Sequence, residues 1–194
     1  MILERLKAET AENHRLLENS GLMSPLLQDT ITIEHYKKIL LTFYGYFAPL
    51  EASILNQKDL HVYLPDLNER RKTERILDDL QSLSSQKIPS PELSKKIPEI
   101  KTLNQAFGCL YVMEGSTLGG SVIYKSLNKH LGLTHDNGCS FFYGYGSSTG
   151  STWKLFQNSL IHYSTLPEAN TDHIVKAAND CFFGFREWIM QRPE

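Results

Sequence analysis

A histidine near the start of the chain stands between two polar residues at helical spacing. Thr10, His14 and Glu18 are each four residues apart, so on a helix they share one face. A neutral imidazole is a common ligand of iron, and a ligand histidine usually donates its other ring N–H to a carboxylate, for which Glu18 is placed. Lys7 lies on the same face and could reach an anionic group at a ligand's edge. This segment alone still favours a half-exposed surface histidine, because His–Glu pairs at this spacing are common on helices.

Three glycines interrupt an apolar helical pattern farther along the chain. Gly115, Gly119 and Gly120 lie in LYVMEGSTLGGSVIY, and the pattern continues on both sides of them. Each interior glycine costs about 1 kcal/mol of helix propensity relative to alanine, so the three together cost about 3 kcal/mol. A helix face without side chains lets a flat ligand lie against the backbone and lets the helix bend. Tight helix packing is the alternative, but the tandem pair exceeds what packing normally requires, so the pattern favours a ligand-facing surface.

The elements that must position these residues are helical nearly throughout. Apolar residues recur at steps of three and four, which predicts helices over 2–19, 66–83, 101–131, 151–164 and 171–191. Another helix is predicted to begin near Thr32, a suitable N-cap, and to be kinked or ended by Pro49. In the 66–83 helix, Arg70 and its charged neighbours are expected on an exposed face. Residues 84–99 and 132–150 are rich in Pro, Gly and Ser and are predicted to be loops, the first with room for one short helix.

Length and composition suit a single all-α domain over residues 1–194, a bundle of about six to eight helices. The net charge of −2 argues against a nucleic-acid partner, and no apolar run is long enough for a transmembrane span. The charged, amphipathic start does not resemble a signal peptide, so we expect a cytoplasmic protein. The cysteines, Cys109, Cys139 and Cys181, have no disulfide spacing and are expected to be buried, reduced thiols.

Together, the two motifs resemble those of the haem oxygenase family. The first helix of that family carries a Thr, the proximal His and a Glu at the spacing found here, and its distal helix carries a glycine followed four and five residues later by a glycine pair. The wording LYVMEGSTLGG is most similar to the bacterial branch, which includes enzymes that supply biliverdin to bacterial phytochromes. The order and spacing match over nearly the whole chain, including the aromatic FFYGYG segment and an aromatic last helix with Phe182, Phe185 and Trp188.

The resemblance implies an all-α fold that sandwiches haem, iron protoporphyrin IX, as both substrate and cofactor. His14 would bind the iron, Phe182 would line the pocket, and the glycines at 115, 119 and 120 would leave room for dioxygen. Electrons from an external ferredoxin or reductase would drive ring opening to biliverdin, carbon monoxide and ferrous iron. A bacterial phytochrome is then a candidate acceptor of the biliverdin.

Two features match that family only in part. Lys7 and Lys154 match basic positions that hold the haem propionates, but a second basic position is Asn158 here. Ser116 stands where many members have an aspartate that organises a proton-delivering water chain; a serine with ordered water can relay protons without a charge. These departures keep open a haem carrier or sensor without turnover. A helical domain for another ligand, such as a thiamine-related compound or a di-iron centre, is a third interpretation, although paired Glu-x-x-His helices are missing from the sequence.

Overall fold

Helices account for the periodic segments of the sequence. The computed structural model describes residues 1–84 and 90–192. The α-helices are α1 (Ile2–Glu9), α2 (Ala11–Glu18), α3 (Ile33–Leu55), α4 (Leu60–Tyr63), α5 (Thr73–Ser82), α6 (Leu103–Leu131), α7 (Ser140–Tyr143), α8 (Thr149–Ser164) and α9 (Thr171–Met190). Neither of the two described ranges contains a β-strand, which confirms the all-α class. Seven of these helices have eight or more residues, within the number predicted.

Helix α3 begins where the sequence predicts but extends beyond Pro49. The Thr32 side chain accepts a hydrogen bond from the His35 backbone N–H and starts α3, as predicted. Pro49 does not end that helix, which continues to Leu55, and a kink at Pro49 stays a prediction. A proline leaves the carbonyl four residues earlier without its helical donor, and here the Gly45 carbonyl accepts a hydrogen bond of 2.8 Å from the Ser94 N–H instead. A segment distant in sequence therefore supplies the hydrogen bond that Pro49 cannot donate to the helix.

Three other predicted segments also differ from the observed structure. The helix expected over 2–19 divides at Thr10, whose hydroxyl donates to the Leu6 carbonyl. The segment 66–83 forms a 3-10 turn followed by α5, and Arg70 is buried rather than exposed, which corrects the expected charged face. The predicted loop 132–150 contains α7, because the Asp79 carboxylate accepts the backbone N–H groups of Ser140 and Phe141 at its start. The predicted loop 84–99 has no helix over 90–99, and its residues 85–89 lie outside the described part.

The core lies between α3, α6 and α9, and one continuous cluster of buried apolar side chains runs from Ile2 to Ile189. This continuity supports the prediction of one domain over 1–194. The three cysteines are free and buried, as expected. Among the described helices, none combines the length and the apolar character that crossing a bilayer requires.

Helices α6 and α9 pack closely at Gly108. A Cβ added to Gly108 would lie 2.8 Å from the Ala177 Cβ and 3.0 Å from the Ala178 backbone N, besides the Ile174 carbonyl. We expect Gly108→Ala to lower the free energy of unfolding by about 1–3 kcal/mol, because the helices must separate to admit the methyl group. Urea unfolding checks this. Gly150→Ala in α8 is the control, since nothing lies within 4 Å of its added Cβ; an equal loss in both variants would contradict the explanation.

Candidate functional site

Helix α2 is attached to the bundle at both ends while its own side chains stay outside the core. None of its eight residues is buried. At its start, Thr10 contacts the side chain of Tyr111 on α6, and beyond its end the 3-10 turn Ser24–Leu27 packs on α6. Its main packing partner is α9, through a 2.6 Å hydrogen bond from Asn13 Nδ2 to Asn179 Oδ1. The helix with the predicted ligand histidine is thus held on α9, and the residues that flank it contact α6, so that it does not fill the core.

The His14 side chain is available for a ligand. It is 56% exposed, and its Nδ1 lies 3.4 Å from a carboxylate oxygen of Glu18. The imidazole ring meets Phe182 of α9 edge-on, with 5.5 Å between the ring centroids and an angle of 81° between the planes. Because Nδ1 faces Glu18, Nε2 is the nitrogen left free to bind a metal, as in the usual pairing of a ligand histidine with a carboxylate. The structure brings together three of the residues that the sequence singled out.

The second wall of the candidate site is a strip on α6 in which glycines alternate with exposed apolar side chains. Gly115, Leu118, Gly119 and Val122 share one helix face, which we call the glycine strip. A Cβ on Gly119 would meet nothing within 4 Å, and one on Gly115 would meet only the Trp153 ring, at 3.7 Å. Leu118 and Val122 are 45% and 59% exposed. A low, apolar surface of this kind suits a flat, apolar ligand.

The tandem glycines divide between two tasks. A Cβ on Gly120 would lie 2.8 Å from the Phe142 carbonyl oxygen of α7, whereas the direction from Gly119 is open. Successive residues of a helix differ by about 100° in direction, so the two glycines face different surroundings. The alternative of close packing therefore accounts for Gly120, and the ligand-facing interpretation suits Gly119. A ligand contact at Gly120 stays a prediction, and it would have to be made by the backbone of this residue.

Ser116 lies at the margin of the glycine strip and is exposed. Its hydroxyl donates a 2.7 Å hydrogen bond to the Met113 carbonyl. In this rotamer the hydroxyl proton is engaged by the helix, and the oxygen can accept a hydrogen bond from a water. Proton relay through Ser116 therefore requires rotation of the hydroxyl.

Lys7 and Lys154 are the two basic residues that the resemblance assigns to the haem propionates. Both are exposed, and they lie on α1 and α8, which pack against each other. In the ranges 1–84 and 90–192, no carboxylate lies within ion-pair distance of either ammonium group. Asn158 is also exposed, one turn beyond Lys154. The predicted pair of lysines is thus carried on neighbouring helices and is available to carboxylates of a ligand.

Sequence reasoning missed Trp153 as a residue that borders the glycine strip. The Trp153 ring borders Gly115 and lies 5.6 Å from the Tyr111 ring between centroids. Burial raises the pKa of Tyr111, and the contact with the Thr10 hydroxyl opposes that rise. The aromatic pair therefore closes the end of the strip where α6 meets the start of α2. No periodicity in the α8 sequence shows that Trp153 turns toward α6, because that depends on the crossing of two helices.

Comparisons with known proteins agree over nearly the whole chain. A family model described as "Heme oxygenase" matches residues 1–191. Heme oxygenase 2 of the cyanobacterium Synechocystis is 23% identical over 204 residues, covering 96% of this chain and 80% of that protein. Among solved structures, the NO- and CO-bound heme oxygenase from Neisseria meningitidis has a TM-score of 0.81 and 24% identity, covering 98% of this chain and 91% of that one. Synechocystis heme oxygenase-1 in complex with heme has a TM-score of 0.75 and 20% identity, with coverage of 98% and 91%.

Proposed function

The chain belongs to the haem oxygenase family, and from that premise we propose that His14 and the glycine strip form the two walls of its haem site. Its reaction is the oxidative cleavage of haem to biliverdin, carbon monoxide and ferrous iron, with dioxygen and an external electron donor. Haem is both substrate and cofactor. The observations that carry the proposal are the exposed imidazole of α2 and the exposed apolar face of α6, which has no side chain at Gly115 and Gly119.

The residues present fit haem in three respects. His14 offers one neutral nitrogen ligand, with Glu18 beside its other nitrogen. The glycine strip offers a flat apolar surface, which matches a porphyrin plane. Lys7 and Lys154 offer two cations for the two propionates. These three features have the chemistry of an iron porphyrin rather than of a small polar ligand.

Each residue then has a distinct task. Glu18 holds the His14 tautomer and raises the basicity of the ligating nitrogen, and Phe182 fixes the ring orientation. Gly115 and Gly119 keep the distal side free of side chains, so that a diatomic molecule has room there. Bound haem supplies the iron that activates dioxygen and the ring that is opened. Ser116 accepts a hydrogen bond from water and so holds a proton source at the margin of the strip.

The partners follow from the chemistry of the reaction. Ring cleavage consumes electrons, so we propose that a separate ferredoxin or reductase delivers them. The likeness of LYVMEGSTLGG to the bacterial branch supports a bacterial phytochrome as the biliverdin acceptor. Three buried free thiols suit a reducing compartment, which supports the proposal of a cytoplasmic protein.

Reconstitution tests the activity directly. The protein loaded with one equivalent of haem, given a reductant under air, should lose its Soret band as a biliverdin spectrum appears and carbon monoxide is released. A parallel sample without dioxygen should keep the Soret band. Loss of haem absorbance in air without a bilin, or a stable Soret band, would instead favour the carrier or sensor interpretation.

A further inference from the structure

A buried ionic cluster lies behind the glycine strip, centred on Glu114. This carboxylate is 1% exposed and directly precedes Gly115. Its Oε2 accepts a 2.6 Å hydrogen bond from Arg70 Nη1, and its Oε1 accepts one of 2.5 Å from Lys72 Nζ. The Tyr145 hydroxyl lies 3.0 Å from both oxygens. One carboxylate of α6 therefore gathers two cations and a phenol.

The partners of Glu114 are themselves fixed to other elements. Arg70 makes two hydrogen bonds to Asp66, of 2.9 and 2.7 Å. The Lys72 backbone N–H donates a 2.6 Å hydrogen bond to Glu51 of α3. Burial lowers the pKa of Lys72, and the negative charge of Glu114 opposes that change. The donors are therefore anchored independently of α6, and Glu114 ties α6 to that anchor.

The glycine strip lies in a part of α6 that has low helix propensity, so contacts with other elements are required to fix its position. Three glycines within six residues lower the helix propensity of α6 by about 3 kcal/mol and make bending easy there. Glu114 is the buried charged residue next to the first of these glycines. We propose that Glu114 is a positioning residue, which holds the α6 backbone at Gly115 and Ser116 at a fixed height over the haem plane. This inference rests on the proposed haem site and adds a function for residues outside it.

A pair of variants separates positioning from general stability. Glu51 is the matched control, because it is also buried but belongs to α3 and accepts backbone N–H groups rather than cations. A glutamine at position 51 keeps an oxygen that accepts the N–H groups of Lys72 and Thr73, so the anchor of Lys72 is retained. Ferric haem-loaded wild type, Glu114→Gln and Glu51→Gln are titrated spectroscopically with cyanide and with imidazole. Cyanide is slender and imidazole is bulky, so the ratio of their affinities reports the height of the distal backbone. Glu114→Gln should raise the ratio of imidazole affinity to cyanide affinity about tenfold, because a glycine strip without its anchor can move away from the haem plane and admit the bulkier ligand. Glu51→Gln should lower stability and leave the ratio as in wild type.

The outcomes distinguish the two proposals. If wild type takes up haem without a histidine-ligated spectrum, the proposed function fails. If wild type binds normally and a folded Glu114→Gln protein keeps the wild-type ratio, the positioning role is overturned; it is also overturned if Glu51→Gln shifts the ratio equally. Should Glu114→Gln not fold, Tyr145→Phe removes a single donor and should raise the ratio about two- to threefold, a partial loss expected of one hydrogen bond. An unchanged ratio in Tyr145→Phe would then overturn the proposal.

Discussion

Haem-loaded His14→Ala protein should lack the axial-ligand spectrum of the wild type and should not form biliverdin. The imidazole is exposed on α2, with Glu18 beside Nδ1 and Phe182 against the ring edge, so Nε2 is the donor that the site provides. Loss of an outer partner of a metal ligand typically costs about 10–100-fold in affinity, so loss of the ligand itself should lower haem affinity by more than about 100-fold. The scaffold should change little, because no residue of α2 is buried.

Absorption and electron paramagnetic resonance titrations with haem measure both effects. His173→Ala is a suitable control, because His173 is exposed in the first turn of α9 and its side chain has no predicted role. Added imidazole should restore the axial spectrum of His14→Ala by occupying the space of the missing ring. A spectrum identical to that of the wild type would mean that another residue ligates the iron.

The contact between His14 and Glu18 could be predicted from the sequence because it is local. His14 and Glu18 lie one turn apart on the same helix, and a helical pattern alone brings them together. The buried face of α6 could be predicted for the same reason, since apolar periodicity marks one side of a helix. Periodicity does not reveal what covers each side, so it could not separate Gly119, which is open, from Gly120, which faces α7.

The features that the sequence did not predict depend on contacts between distant segments. Arg70 was expected on a charged face and no role was predicted for Lys72, yet both side chains are buried against Glu114, more than 40 residues away. Helix α3 continues through Pro49, and the Ser94 N–H donates the hydrogen bond that the Gly45 carbonyl would otherwise lack. Glu114 is the single acidic residue of α6, and Arg70, Arg71 and Lys72 form a basic run elsewhere in the sequence. A carboxylate is rarely buried without a partner, so these two features together are the signal that could have suggested the cluster.

Gly119→Ala should make the haem-free protein more stable and the haem-loaded protein a poorer enzyme. Nothing lies within 4 Å of the added methyl group, so the substitution gains about 1 kcal/mol of helix propensity without a clash. The same methyl group would project from the glycine strip toward the haem and displace it. A misplacement of about 1 Å can cost about 100-fold in rate, and we expect biliverdin formation to slow by that order. Opposite signs for stability and turnover are expected only where a glycine serves a ligand rather than the fold.

Gly120→Ala is the matched test of the neighbouring position. Its methyl group would lie 2.8 Å from the Phe142 carbonyl oxygen, so the free energy of unfolding should fall by about 1–3 kcal/mol. Urea unfolding of the haem-free proteins and the rate of bilin formation in folded, haem-loaded samples measure the two quantities for both variants. Wild-type turnover in Gly119→Ala would place the substrate away from this face of α6. We expect Gly119→Ala to gain stability and Gly120→Ala to lose it, although the two positions are adjacent. That result would show that a ligand-facing surface and a packing surface of α6 are separated by one residue, a rotation of about 100°.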